Sequence, residues 1–225
     1  MKRLLPFIII AFVGVATVGI ATAVYRIKTR PTPTPAAGAS VTPTAAKDEE
    51  DSALHTRGPR DAPVTIEFYG DFQCPSCAVA AAAMDELDKL YPGKLRLVFH
   101  EFPLEMHNHA VEAAKAAEAA GLQGHFWQMH DMLYQYQPVW SRVSTVGSFF
   151  DAYANSLGLN VDQFRADLQS PEVEARVMSD STAGVVRGVK NTPTIFINGQ
   201  EVKTAFTLDK LREVIDQALA AKKKS

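Results

Sequence analysis

From Leu4 to Tyr25 no charged residue interrupts the chain, a run about as long as a helix needs to cross a hydrocarbon core. Lys2 and Arg3 stand on one side of it and Arg26, Lys28 and Arg30 on the other, so the balance of basic residues leaves its orientation open. Ala21-Thr22-Ala23 resembles a small-residue cleavage site, but the apolar run exceeds the roughly 7–15 residues usual for a signal peptide. An uncleaved anchor over residues 1–25 is the favoured reading. Periodicity then disappears: residues 26–60 are rich in Pro, Thr and Ala, as in Pro31-Thr32-Pro33-Thr34-Pro35, with the acidic run Asp48-Glu49-Glu50-Asp51. Such a stretch buries little and predicts an extended, semi-stiff linker.

Beyond it the pattern becomes that of a folded unit over residues 61–221. Val64-Thr65-Ile66-Glu67-Phe68-Tyr69 is a β-branched and aromatic run that stops at Gly70-Asp71, which predicts a strand and a turn. Ala78 to Leu90 is rich in helix formers, with Met84, Leu87 and Tyr91 spaced for one buried face, and Pro92-Gly93 ends it. Leu95 to Phe99 predicts a second strand, parallel to the first through a right-handed crossover. A helical block over about 105–187 follows, of four or so helices. Gly121 and Gly158 sit at helix ends, Asn160 with Gln163 resembles a capping box, and Ser170-Pro171-Glu172 supplies an N-cap, a first-turn proline and a first-turn acid. Thr194 to Ile197, the turn Asn198-Gly199 and Glu201 to Lys203 form a hairpin signal, and a last helix over Leu208–Ala220 carries Leu211, Ile215 and Leu219 on one face. The order β-α-β, helical block, β-β-α predicts an α/β fold, with no internal repeat. Residues 222–225 read as a solvated basic tail.

With 225 residues, 47% of them hydrophobic, the chain supports one sizeable core. A net charge of -2 supplies no basic field to gather nucleic acid.

The chain's 2 cysteines, Cys74 and Cys77, form a Cys-x-x-Cys at the junction of the first strand and the first helix. There the first sulfur meets unpaired backbone N–H groups at the positive end of the helix dipole, which stabilises its thiolate. The thiolate is the attacking and leaving species in disulfide exchange, so Cys74 is the expected reactive sulfur and Cys77, one turn inside, the resolving thiol. A purely structural disulfide closing so small a loop would contribute only about 2 kcal/mol. A metal site completed by His125 and His130 is disfavoured because a five-residue step leaves their side chains roughly 140° apart on a helix. His107 and His109 read as polar residues opening a helix, and His100 as a strand-end histidine.

Three stretches together resemble the DsbA-like thioredoxin-fold oxidoreductases of bacteria: Asp61-Ala62-Pro63-Val64-Thr65-Ile66 with Gly70-Asp71-Phe72-Gln73-Cys74-Pro75-Ser76-Cys77; Phe102-Pro103-Leu104 through Gly124-His125-Phe126-Trp127; and Val189 through Gly199. The resemblance covers about Asp61 to Leu219. It implies a thioredoxin-like fold with a helical insertion, and a cis Pro193 lying against Cys74. Pro75, Ser76, Thr192 and Pro193 would form the thiolate environment and substrate-binding rim, with no metal and no organic cofactor. One departure stands out. Where the family often places a buried acid, six residues before the first cysteine, this chain has Phe68, and Glu67 should face the other way unless a bulge shifts the register.

The resulting expectation is a single-pass membrane protein whose catalytic domain lies on the extracytoplasmic side. It would introduce disulfides into unfolded or partly folded exported proteins and be reoxidised by a membrane redox partner. The same cysteines would also serve a reductase or isomerase, or a tethered metal-binding chaperone.

Overall fold

The computed structural model describes residues 55–222. The expected anchor, most of the expected linker and the last residues of the tail lie outside them. Among the described residues no helix is long and apolar enough to cross a membrane.

Five strands form one mixed sheet in the order β1-β3-β2-β4-β5. The central pair, β2 (Val64–Gly70) and β3 (Leu95–Glu101), is parallel and joined through α1 (Pro75–Leu90), as the alternation and the connecting helix predicted. β4 (Thr194–Ile197) runs antiparallel to β2 and continues into β5 (Gln200–Glu201). The hairpin between them needs two positive φ angles, supplied by Asn198 (φ 48) and Gly199 (φ 80), the pairing expected of an Asn-Gly turn. Asn198 also extends the ladder: its N–H donates to the Thr65 carbonyl at 2.9 Å, and its side chain accepts from the Thr65 N–H at 2.8 Å.

One strand was not foreseen. β1 (Thr56–Arg57) pairs antiparallel with β3 and closes the far edge of the sheet. The boundary expected at Asp61 is therefore too late, and the final residues of the expected linker belong to the fold. Two residues carry no detectable period, so β1 depends on its partner and on His55, which is buried and pairs with Glu118 and Asp180.

Six helices occupy the block between β3 and β4, rather than four or so: α2 (Ala110–Gly121), α3 (Phe126–Gln135), α4 (Gln137–Trp140), α5 (Gly147–Ser156), α6 (Val161–Leu168) and α7 (Pro171–Arg187). The extra ones are short, and α4 has only 4 residues, too few for an apolar face to repeat. The predicted caps are present: the side chains of Asn160 and Ser170 accept from the N–H groups of Gln163 and Val173. α8 (Leu208–Lys222) buries Leu211 and Ile215.

Strand alternation divides the interior. Ile66, Phe68 and Phe99 join Met84 and Leu87 of α1, Met129 and Leu133 of α3, and Trp140 in the main core. The opposite sheet face puts Tyr69, Phe102, Val189 and Phe196 in a smaller cluster. α7 closes on that side, with Gly184 against Phe102 and Tyr69.

Candidate active site

Cys74 is the N-cap residue of α1, with Pro75 in the first turn. The Cys74 carbonyl accepts from the N–H groups of Cys77 at 3.1 Å and Ala78 at 3.3 Å, which turns its side chain toward the open amino end of the helix. Pro75 and Ser76 are exposed, Cys74 is 6% exposed and Cys77 is sealed at 0%. Both cysteines are free thiols.

The Cys74 sulfur stands 3.0 Å from the Ser76 hydroxyl and 3.6 Å from the Thr192 carbonyl oxygen. Thr192-Pro193 is a cis peptide, and Pro193 is buried where the chain enters β4. Cys74, Pro75, Ser76, Cys77, Thr192 and Pro193 are therefore gathered in one place, from segments more than a hundred residues apart in sequence.

The two sulfurs have opposite electrostatics. A hydrogen bond from the Cys77 thiol does most to hold Cys74 as thiolate; burial opposes it, and Ser76, Thr192 and the Cys77 backbone N–H add to it, lowering the Cys74 pKa to about 4. Burial pushes the Cys77 thiol far up, and its hydrogen bond to Cys74 pushes it further against a backbone hydrogen bond from Asp71. A thiolate facing the rim and a thiol behind it constitute the reduced state of a pair that exchanges disulfides through the outer sulfur.

Side chains that sequence reasoning missed hold this turn in place. Nε2 of Gln137, on α4, donates to the carbonyls of Phe72 at 2.6 Å and Cys74 at 3.0 Å. Gln73 donates to the Ser141 carbonyl at 3.1 Å and accepts from the His109 N–H at 2.7 Å. Asp71, 1% exposed, accepts from the N–H groups of Gln73 and Leu104 and meets His107 Nδ1 at 2.7 Å. The active turn is thus tied to the helical block and to the loop after β3. In the sequence Asp71 reads as part of a turn, and nothing in the local pattern around Gln137 marks it.

Glu67 lies on the far face of the sheet. The β2–β3 register runs without a bulge, and Glu67 receives both Nη atoms of Arg187 at 2.6 Å, away from the cysteines. His100 also faces that side, stacked on Tyr69 at 4.4 Å with Nδ1 3.3 Å from Asp180. His130 is buried among aromatic rings, whereas the ring of His125 meets the Gln123 carbonyl. His109 is buried and is held by Glu112 and the Val143 carbonyl. Among the described residues no group of three or more His, Cys, Asp or Glu side chains is placed to hold a metal ion.

Comparison with known proteins agrees with this geometry. The family profile described as thioredoxin matches residues 50–217. Crystallised BdbD of Bacillus subtilis, in its oxidised form, is 25% identical with a TM-score of 0.66, covering 74% of this chain and 92% of that one. A thioredoxin-like oxidoreductase from Silicibacter pomeroyi DSS-3 is also 25% identical, with a TM-score of 0.61 and coverage of 73% and 91%. Wolbachia pipientis alpha-DsbA1, at 18% identity and a TM-score of 0.66, shares the fold. Among curated proteins, "Na(+)/H(+) antiporter NhaA 1" of Salinispora arenicola is 38% identical over 167 residues, which is 74% of this chain but only 25% of that protein. The chain thus spans about a quarter of the curated relatives it matches. It belongs to the thioredoxin family, with the fold of the DsbA-like thiol-disulfide oxidoreductases.

Proposed function

We propose that the protein oxidises the thiols of exported polypeptides through Cys74 and Cys77. The observation that supports this direction is the contrast between the sulfurs, with Cys74 lowered to about 4 and Cys77 driven the other way. A well-stabilised Cys74 thiolate is a good leaving group, so a mixed disulfide at Cys74 resolves toward oxidised client and reduced enzyme. In the reaction a client thiolate attacks Cys74, the Cys74–Cys77 bond breaks with its electron pair on Cys77, and the client's second thiolate then displaces Cys74. The client ends as a disulfide and the enzyme pair as thiolate and thiol.

Thr192 and Pro193 form the rim at which an extended client segment pairs, since the Thr192 carbonyl already faces the reacting sulfur. Backbone pairing is indifferent to side chains, which suits a wide set of unfolded or partly folded clients. The apolar run Leu4–Tyr25 is read as a single-pass anchor that holds the domain on the extracytoplasmic side, near a membrane redox partner that reoxidises the pair. The antiporter activity named for the longer curated relatives is not carried over, because about three quarters of their length lies outside the match.

The test is the reduction potential of the Cys74–Cys77 pair, together with oxidation of a dithiol peptide by the wild-type chain and Cys74→Ser. An oxidising potential and a dead serine variant are expected. A potential below that of the cytosolic glutathione pool would contradict the oxidase reading, and full activity in the serine variant would contradict the mechanism.

A further inference from the structure

His109 is the N-cap residue of α2, is 8% exposed, and has an acceptor at each of its ring nitrogens. Nδ1 stands 2.8 Å from a Glu112 carboxyl oxygen, and Nε2 stands 2.9 Å from the Val143 carbonyl oxygen. A neutral imidazole carries one N–H and serves only one of them, whereas the imidazolium donates to both. The surroundings therefore select the charged ring. Its pKa is raised, chiefly by the hydrogen bond to Glu112; burial opposes this, and the Val143 carbonyl and the Glu112 charge add to it.

Val143 lies in the loop 141–146 between α4 and α5, and the same loop touches the reactive turn. Gln73, the residue before Cys74, donates through its side chain to the Ser141 carbonyl at 3.1 Å and accepts from the His109 N–H at 2.7 Å. The contacts make a closed circuit: from Gln73 to Ser141, along the loop to Val143, across to the His109 ring, and from the His109 N–H back to Gln73. Of these four residues only His109 titrates. α4 ties the loop to the turn again, because Gln137 donates to the Cys74 carbonyl while its own carbonyl accepts from the Ser141 N–H at 3.0 Å. The other charged groups on these segments are exposed or engaged. Arg142 in the loop and Glu105 before α2 are exposed, and His107 is engaged by Asp71 of the turn.

We propose that His109 is a positioning residue of the reactive turn, latching the Ser141–Val143 loop beside Gln73 while protonated and releasing it when the proton leaves. This rests on the reading of Cys74 as the reacting sulfur. On deprotonation the one remaining N–H stays with the carboxylate, the stronger acceptor, and a bare Nε2 lone pair faces the Val143 carbonyl. Because the folded value is raised, the latch is complete below the ordinary histidine value of 6.5 and is lost as pH rises through the raised one. Loss of one such hydrogen bond makes the open latch about three- to tenfold more frequent. Cys74 is only 6% exposed in the latched form, so a loosened turn gives a reagent or client easier access to its sulfur.

The experiment measures the rate of Cys74 alkylation by iodoacetamide, a neutral reagent, in the reduced full chain from roughly pH 6 to 9, where a thiolate lowered to about 4 gives no step of its own. The His109 ring is titrated by NMR in the same samples. In wild type the rate is expected to rise about threefold or more, with its midpoint at that of the His109 ring. His109→Gln, which has no proton to lose, should show no step. Glu112→Gln removes the largest cause of the raised value from a side chain that is 60% exposed, so it should keep the step and move it to lower pH. This second variant decides the matter if His109→Gln does not fold. A flat wild-type profile, a step retained in His109→Gln, or a step unmoved in Glu112→Gln would overturn the latch and leave the Cys74 chemistry intact. A Cys74 that iodoacetamide does not alkylate at any pH in the unmutated chain would overturn it together with the reading beneath it.

Discussion

The Gln137 side chain donates to the Cys74 carbonyl at 3.0 Å across 63 residues of sequence, and the same nitrogen serves the Phe72 carbonyl. That amide fixes the reactive turn to the helical block. Its removal would take the side-chain donor from the Phe72 carbonyl, at a cost of about 1–3 kcal/mol, while the Cys74 carbonyl keeps the N–H groups of Cys77 and Ala78. Gln137→Ala should therefore lower unfolding stability by about 1–3 kcal/mol in urea, a loss readable as a lower midpoint with an unchanged slope.

The pH dependence of the reduced protein follows from the two cysteines. Cys74 is depressed from 9.0 to about 4, so between those values the unfolded state binds the extra proton and stability rises with pH, by at most about 1.4 kcal/mol per unit. The contribution is complete above the unfolded value and disappears as pH falls through about 4. Cys77 is shifted the opposite way, so its contribution is present below pH 9.0 and is lost as pH rises beyond it. Urea unfolding of the reduced protein from pH 4 to 9 should show this rise in wild type and lose it in Cys74→Ser.

Gly70 is required because the Phe99 ring and the Tyr134 hydroxyl occupy the space a methyl group would need. Gly70→Ala should cost about 1–3 kcal/mol through overpacking, seen as a lower thermal midpoint. A neutral outcome would mean that the rings shift freely.

Glu67 and Arg187 form a two-pronged pair whose side chains are 22% and 30% exposed. Arg187 also covers the Phe196 ring at 3.9 Å. Partial exposure limits what the pair contributes, so Glu67→Gln should cost no more than about 1 kcal/mol. Its position on the far face predicts an unchanged Cys74 alkylation profile, and a shifted profile would show coupling through the sheet.

Much of the architecture was legible in the sequence. The Val64–Tyr69 alternation, the helix after the cysteines, the caps at Asn160 and Ser170 and the Asn198-Gly199 turn each rest on local chemistry, which the fold retains. The cysteine turn was legible for the same reason. β1 and α4 were not, because elements of 2 and 4 residues have no period and owe their form to neighbours. The buried polar groups were hidden by the rule that made the rest readable. Glu118 within an alanine-rich helix and Glu101 at a strand end look like solvated positions, and only the packing of α2, α3 and α7 around them makes them interior. Gln73 and Gln137 act through contacts distant in sequence, which no local spacing records.

The central claim is that Cys74 is an anion at neutral pH, and thiolate absorbance of the reduced protein, titrated alongside Cys74→Ser to isolate one sulfur, tests it directly. A transition centred at about 4 is the predicted result. A midpoint at the ordinary thiol value of about 8.5 would contradict it.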